Sequence, residues 1–309
     1  MVKIAVITGS SASGLACMQR LLVSNSGISL VRGCFRRQGI AATRPSSLPL
    51  RNATSKYESV AHIDAADVDS LRRALQGMDR ALLVTPLDYK AGVQQDAQKS
   101  INMIQAAHEV GVQRIVHVGS WTVKAPTQLP ILSSRFAPTE DYLREEIGDK
   151  MEWTVLRGGY FMPNFAHVHG EAIQAKGQLL PLPDCQIPPV DVDDIGHAAA
   201  ALLEKDDDNF SQYHQAFVEC CGPELLSHSA IATELGAGLD TPITYPTADA
   251  PPLQEWTSEN PILSELYHYM AEGEGNHIPY DPDPVFAKIL GRPLTTLGQW
   301  AAENKHSFA

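Results

Sequence analysis

The apolar positions of the first half of the chain switch repeatedly between strand-like runs and helical spacing. Lys3–Thr8 is a short apolar run that predicts the first strand, and Leu15–Leu22 carries apolar residues at the helical period. Further strands are predicted over Ile28–Phe35, Ser59–Ile63, Arg80–Val84, Arg114–Val118 and Trp153–Leu156. Helices are predicted over Asp67–Leu75, opened by its acidic residue, Val93–Glu109, ended by Gly111, and Thr139–Glu146. From Arg36 to Tyr57 the chain is polar and irregular, with Arg44 and Arg51 in it. Strands alternating with helices at this spacing imply an α/β fold: a Rossmann-type doubly wound parallel sheet, covered on both faces. The rhythm changes after Asn164, where prolines gather and the elements shorten, although Ile195–Leu203 is again clearly helical, with Asp193 or Asp194 expected to cap it. We therefore expect a Rossmann domain over residues 1–165, taking strand contributions from about 185–220, and a smaller C-terminal lobe over 166–309.

In a sheet of this kind ligands bind beyond the carboxyl ends of the strands, so each loop just after a strand is a candidate. The first of these, Thr8-Gly9-Ser10-Ser11-Ala12-Ser13-Gly14, runs from a strand straight into a helix. A glycine- and serine-rich turn there lets backbone N–H groups and the helix N-terminus approach a pyrophosphate. Gly9, Ser10, Ser11, Ser13 and Gly14 are accordingly expected to bind a dinucleotide. The second strand ends in Cys34-Phe35-Arg36-Arg37, without the carboxylate that would hold the ribose hydroxyls of NAD. A guanidinium forks onto phosphate oxygens, so Arg36 and Arg37 point to the 2′-phosphate of NADP(H).

Composition narrows the function classes. The chain has 309 residues and a net charge of −12, which argues against nucleic acid and anionic membranes as partners. No apolar run approaches the ~20 residues that span a bilayer, and the first strand runs into the glycine loop rather than into a cleavage site, so a cytoplasmic protein is expected. Five cysteines show no C-x-x-C spacing, and His167, His169 and Glu171 lack a further ligand signature, so no metal is expected and these histidines are read as surface residues. Cys220-Cys221 reads as part of a buried strand, and Asp206-Asp207-Asp208 as a solvated turn.

Several stretches together resemble the NmrA-like group of atypical short-chain dehydrogenases, which includes isoflavone-reductase-type enzymes, fungal ergot-alkaloid reductases and NADP-sensing regulators. They are Ile63-Asp64 through Val84-Thr85-Pro86, Ala106–Val116, Val118-Gly119-Ser120, Thr154–Phe165, Val190–Gly196 and Lys288–Pro293. The resemblance implies a cleft between domain and lobe for a small organic substrate, with Thr85-Pro86 and the Tyr160–Asn164 loop flanking the nicotinamide. The chain departs from the family twice. Its glycine loop is one residue tighter than G-x-x-G-x-x-G, and the Tyr-x-x-x-Lys pair of ordinary short-chain dehydrogenases is missing. The lysine that many members carry four residues before the glutamate matched here by Glu140 is replaced by Phe136.

Ser120 and Tyr160 are the catalytic candidates. Ser120 either hydrogen-bonds a substrate oxygen or imine nitrogen or satisfies its own turn; Tyr160 is either a weak acid or a buried tyrosine with a local partner. Asn164 either contacts the cofactor or caps a helix. Tyr89, Trp121, Tyr160 and Phe161 are expected to form an aromatic wall for a flat, apolar substrate, with Trp256 and Tyr267 of the lobe closing the other side. The reading is an NADPH-dependent reductase of a C=N, C=C or C=O group; reduction of an iminium needs no acid at the hydride step, which accords with the missing pair. The alternatives are a non-catalytic NADP(H) sensor and a biosynthetic enzyme that keeps the cofactor without net redox change.

Overall fold

The computed structural model describes residues 1–38, 56–86, 93–181, 183, 185–246, 261–272 and 284–308. Strand β1 (Val2–Ile7) leads into helix α1 (Ala12–Val23), followed by β2 (Ile28–Cys34), β3 (Tyr57–Val60), α2 (Val68–Leu75), β4 (Arg80–Val84), α3 (Gln94–Glu109) and β5 (Arg114–Ser120). Short helices α4 (Pro130–Ser134) and α5 (Ala137–Tyr142) precede β6 (Glu152–Gly158), β7 (Tyr160–Phe161) and α6 (Pro163–Lys176). Then come β8 (Pro189–Val190), α7 (Val192–Glu204), α8 (Asp207–Phe210), β9 (Ala216–Cys220) and α9 (His228–Leu239). Helices α10 (Pro261–Glu272), α11 (Pro284–Leu290) and α12 (Leu297–Glu303) complete the described chain.

The main sheet has seven parallel strands in the order β3-β2-β1-β4-β5-β6-β9. Ile4, Ala5, Val6 and Ile7 in β1 and Arg80–Val84 in β4 are buried throughout, as strands covered on both faces must be. The strand order reverses between β1 and β4, and the crevice at that point is the natural ligand site.

One face of the sheet packs on α1 and α7, through Met18, Leu21, Ile195, Ala199 and Leu202. Small residues let these two helices come close: a Cβ on Gly196 would stand 2.5 Å from the Ser13 carbonyl oxygen and 2.7 Å from Ala16 Cβ. The other face packs on α2 and α3, through Leu71, Leu75, Met103, Ile104 and the β6 residue Trp153. A separate cluster joins Trp121 and Phe165 to Leu235 and Trp300 of the C-terminal part of the chain. No helix among the described residues is long and apolar enough to cross a membrane.

The amino ends of β4 and β5 carry two arginines that close the sheet floor. Arg114 is fully buried; it donates to Glu152 Oε2 (2.7 Å), Lys205 O (2.5 Å) and Asp207 Oδ1 (2.8 Å), and its guanidinium lies 3.9 Å from the Phe210 ring centre. Arg80 donates to Leu203 O and Lys205 O, both at 2.6 Å. The pair thus satisfies the open carbonyls of α7, where a helix favours positive charge.

Four expectations need correcting. Helix α7 begins at Val192 and its cap is Asp191, whose side chain accepts from Asp193 N at 3.0 Å. Asp194 faces inward instead and accepts from Arg292 Nη2 (2.6 Å) and Thr295 N (2.8 Å). Asp206-Asp207-Asp208 is exposed, as expected, but opens a helix rather than a turn: Asp206 caps α8 and Asp207 pairs with Arg114. His169 is buried, because Phe165, His169 and Ile173 recur every fourth residue on the inner face of α6; its Nδ1 accepts from Leu180 N at 3.0 Å.

Candidate functional site

The loop after β1 turns on a strained residue. Thr8 takes φ 60°, unusual for a β-branched side chain, and donates its hydroxyl to Val84 O at 2.8 Å, tying the β1 and β4 loops together. Ser11 caps α1: its Oγ accepts from Gly14 N (3.0 Å) and donates to Thr8 O (2.9 Å). The Ser11 hydroxyl is therefore occupied inside the loop rather than offered outward. A Cβ on Gly14 would lie 2.8 Å from Ser11 Oγ and 2.9 Å from Thr8 O, so the turn closes only around glycine. Ser13 is buried, with its carbonyl under Gly196.

A groove of about 450 Å³ opens from this loop. It is lined by Thr8, Ser10, Ser11, Arg36, Arg37 and Pro86, all in the expected cofactor set or beside it. Its far side is formed by Ile63–Ala66 and by Gln95 and Lys99 of α3, which the sequence reading did not single out. Arg36 and Arg37 are exposed at the mouth of this groove. The shape and donor set suit a dinucleotide: backbone amides at a helix N-terminus, a glycine turn that admits close approach, and guanidinium groups at the end of β2.

Thr85 belongs to a buried polar chain beneath the groove. Its Oγ1 lies 2.6 Å from Ser100 Oγ and 3.4 Å from His117 Nε2. Burial pulls His117 down to about 4, so the ring is neutral at physiological pH, and its Nδ1 has no hydrogen-bond partner among the described residues. Because the unfolded ring protonates near 6.5 and the folded one only near 4, the histidine's contribution to stability is lost as pH falls between those values. His117→Gln, measured against wild type by urea unfolding, isolates this contribution from the buried carboxylates. The stability gap between the two should shift in the variant's favour on acidification, by up to about 1.4 kcal/mol per pH unit. A gap independent of pH would show that the ring titrates normally.

At the end of β5, Ser120 Oγ accepts from Thr122 N (3.3 Å) and lies 3.0 Å from Thr122 Oγ1, whose single proton also has Leu132 O within reach at 3.3 Å, so the hydroxyl is engaged in its own turn. Trp121 and Tyr160 fall in the same apolar cluster; Trp121 faces Tyr269 of α10, ring centres 5.6 Å apart, and Tyr160 faces Phe165 at 5.2 Å. Burial raises the Tyr160 phenol above its ordinary range, which makes it a hydrogen-bond donor that does not ionise near neutrality. Phe161 points the other way, over Gly158, and packs with the α1–α7 cluster, because successive residues of a strand face opposite sides. It is thus not part of one wall with Trp121 and Tyr160. Asn164 is half-buried in the first turn of α6. Tyr89 and Trp256 lie outside the described residues; Tyr267 is on α10, beside His268.

Glu140 is engaged in a fork of its own. Arg157 Nε donates to its Oε1 (2.9 Å) and Nη2 to its Oε2 (2.6 Å), while Nη1 reaches Glu219 Oε1 at 2.8 Å. With Phe136 in the lysine position, this glutamate has an arginine from the next strand as partner. No group of histidine, cysteine, aspartate and glutamate able to hold a metal occurs among the described residues, and all five cysteines are buried thiols.

The chain is 25% identical over 238 residues to the uncharacterized oxidoreductase YesF of Bacillus subtilis, covering 75% of this chain and 77% of the relative. Its fold is similar to that of an NADPH-dependent quinone oxidoreductase from Escherichia coli, solved with NADPH, with TM-score 0.75 and 20% identity over 97% of this chain and 99% of that one. It is equally similar to a triphenylmethane reductase from Citrobacter sp., solved with NADP(H), with TM-score 0.75 and 18% identity over 98% and 99% of the two chains. The NmrA-like family matches residues 30–287, most of the sheet and most of the lobe, and the protein belongs to that family.

Proposed function

We propose that this protein is an NADPH-dependent reductase of a small, largely apolar organic substrate. The observation that carries the reading is the groove at the β1–β4 crevice, with a glycine-serine loop at one end and Arg36 and Arg37, without a carboxylate, at the end of β2. When bound there, the nicotinamide supplies a hydride to a C=N, C=C or C=O group. The protein's part is positioning. The loop amides and the N-terminus of α1 hold the phosphates, and the arginines select the 2′-phosphate. Thr85 and Pro86 border the nicotinamide end, and Trp121 and Tyr160 offer an apolar surface that keeps water from the reacting carbon. Ser120 and the un-ionised Tyr160 orient a substrate heteroatom by hydrogen bonding; neither forms part of a Tyr-x-x-x-Lys pair. The oxidoreductase name of the Bacillus relative and the reductase titles of the two neighbours support this reading over a purely regulatory one.

The test is titration of NADPH and NADH, followed by NADPH consumption against imines, enones and quinones. NADPH should bind at least about tenfold more tightly than NADH, a difference near 1.4 kcal/mol, and Arg36→Ala with Arg37→Ala should abolish the gap. Equal affinities in the wild type would remove the assignment of the arginines. Tight NADPH binding with no turnover of any of the three substrate classes would favour a sensor.

A further inference from the structure

Lys99 and Arg135 share a single carboxylate. Arg135 Nε donates to Asp96 Oδ2 at 3.0 Å, while Lys99 Nζ stands 3.8 Å from Asp96 Oδ1, beyond hydrogen-bonding distance. All three residues are more than nine-tenths buried, with Lys99 only 8% exposed. Among the described residues, Asp96 Oδ1 and Arg135 Nη2 have no hydrogen-bond partner. Two cations on one carboxylate leave a unit of positive charge in a poorly hydrated place, an arrangement that costs stability unless something negative completes it. Of the three, Lys99 lines the groove.

Among the described residues, the charged ones lining the groove are Arg36, Arg37, Lys99 and one carboxylate, Asp64, which accepts from Ala66 N at 2.9 Å. Arg36 and Arg37 stand at the end of β2, where the 2′-phosphate belongs. The phosphate loop from Thr8 to Gly14 contains no basic side chain. Its positive potential comes from backbone amides and the N-terminus of α1, worth only about half an elementary charge. A pyrophosphate carries two negative charges. We propose that Lys99 is the cation for the pyrophosphate: Asp96, whose single charge is shared with Arg135, holds the ammonium at the groove wall, and the ligand completes its coordination. This assignment rests on the dinucleotide reading of the groove and adds a residue to it from α3.

The experiment is calorimetric titration of NADPH, ADP-ribose and 2′-AMP into wild type and K99M. ADP-ribose has the pyrophosphate without the 2′-phosphate, and 2′-AMP has the reverse. K99M should weaken NADPH and ADP-ribose by a similar factor, about tenfold, as loss of a charge-assisted contact does, and leave 2′-AMP unchanged. The melting temperature of the unliganded variant should not fall, because Asp96 keeps Arg135 and a buried cation has been replaced by an apolar side chain. A residue whose role is only structural would show the opposite: lower melting temperature and unchanged affinity. If K99M loses its fold, K99Q carries the same expectation for the three ligands. Unchanged NADPH affinity, or a loss confined to 2′-AMP, overturns the assignment. A wild type that takes up none of the three overturns the dinucleotide reading itself.

Discussion

Gly196→Val should cost the protein both stability and its cofactor. The α1–α7 contact has no room at this position, since the first carbon of any side chain would meet the Ser13 carbonyl oxygen at 2.5 Å. That oxygen is backbone, so the strain cannot be relieved by a rotamer change, and α1 must move away from α7. Overpacking of this kind costs about 3 kcal/mol, or roughly 5 °C in melting temperature for a chain of 309 residues. Ser13 lies in the first turn of α1, directly after the Ser11 cap, so the displacement reaches the phosphate loop. NADPH affinity should fall by more than about tenfold, read by titration below the variant's melting temperature. Wild-type behaviour in both measurements would mean that the two helices are not held as closely as described.

Arg114→Met is the second large effect, and it acts on stability alone. Arg114 is wholly buried, with partners in β6, at the end of α7 and at the start of α8. Methionine preserves much of the volume over Phe210 but removes the donor to Glu152 and Asp207 and one of the two arginines on Lys205 O, where Arg80 remains. Loss of these charge-assisted hydrogen bonds costs about 1.5–3 kcal/mol, and the urea midpoint should fall accordingly. Arg72 is the control: it pairs with Asp69 and Glu109 on an exposed surface, so Arg72→Met should leave the midpoint unchanged. The cofactor groove lies at the opposite, carboxyl end of the strands, so NADPH affinity of folded Arg114→Met should match wild type. Equal midpoints for the Arg114 variant and wild type would show the network to be stabilising nothing.

The alternation of strands and helices was legible because each element is covered on a definite side, and burial imposes the period. The phosphate loop and Arg36-Arg37 were legible for a different reason: they are contiguous in the chain and follow their strands directly. Lys99 was not, since it sits mid-helix among other polar residues and acquires meaning only when α3 is placed beside the loop of β1. Asp96 and Arg135 lie 39 residues apart and meet only in the folded chain. The burial of His169 could have been read from its spacing with Phe165 and Ile173 had the pair with His167 not drawn the eye to metals. Phe161 shows the limit in the other direction. Adjacent aromatics suggest one wall, yet in the two-residue strand β7 they face different cores.

The seventh strand has a consequence for how the protein is made. β9 pairs with β6 along Ala216–Cys220, and α7, which covers one face of the sheet, also lies beyond residue 190. A nascent chain ending near residue 165 would hold the first six strands but neither of these pieces. The outer edge of β6 would be open, and the apolar faces of β4, β5 and β6 would lack the helix that covers them. At translation rates of about 5–20 residues per second, the fifty or so further residues keep that surface exposed for several seconds. An uncovered parallel edge next to apolar strands invites pairing with other chains. The ribosome-bound intermediate, more than the finished protein, is therefore the form in which these surfaces are open to other chains.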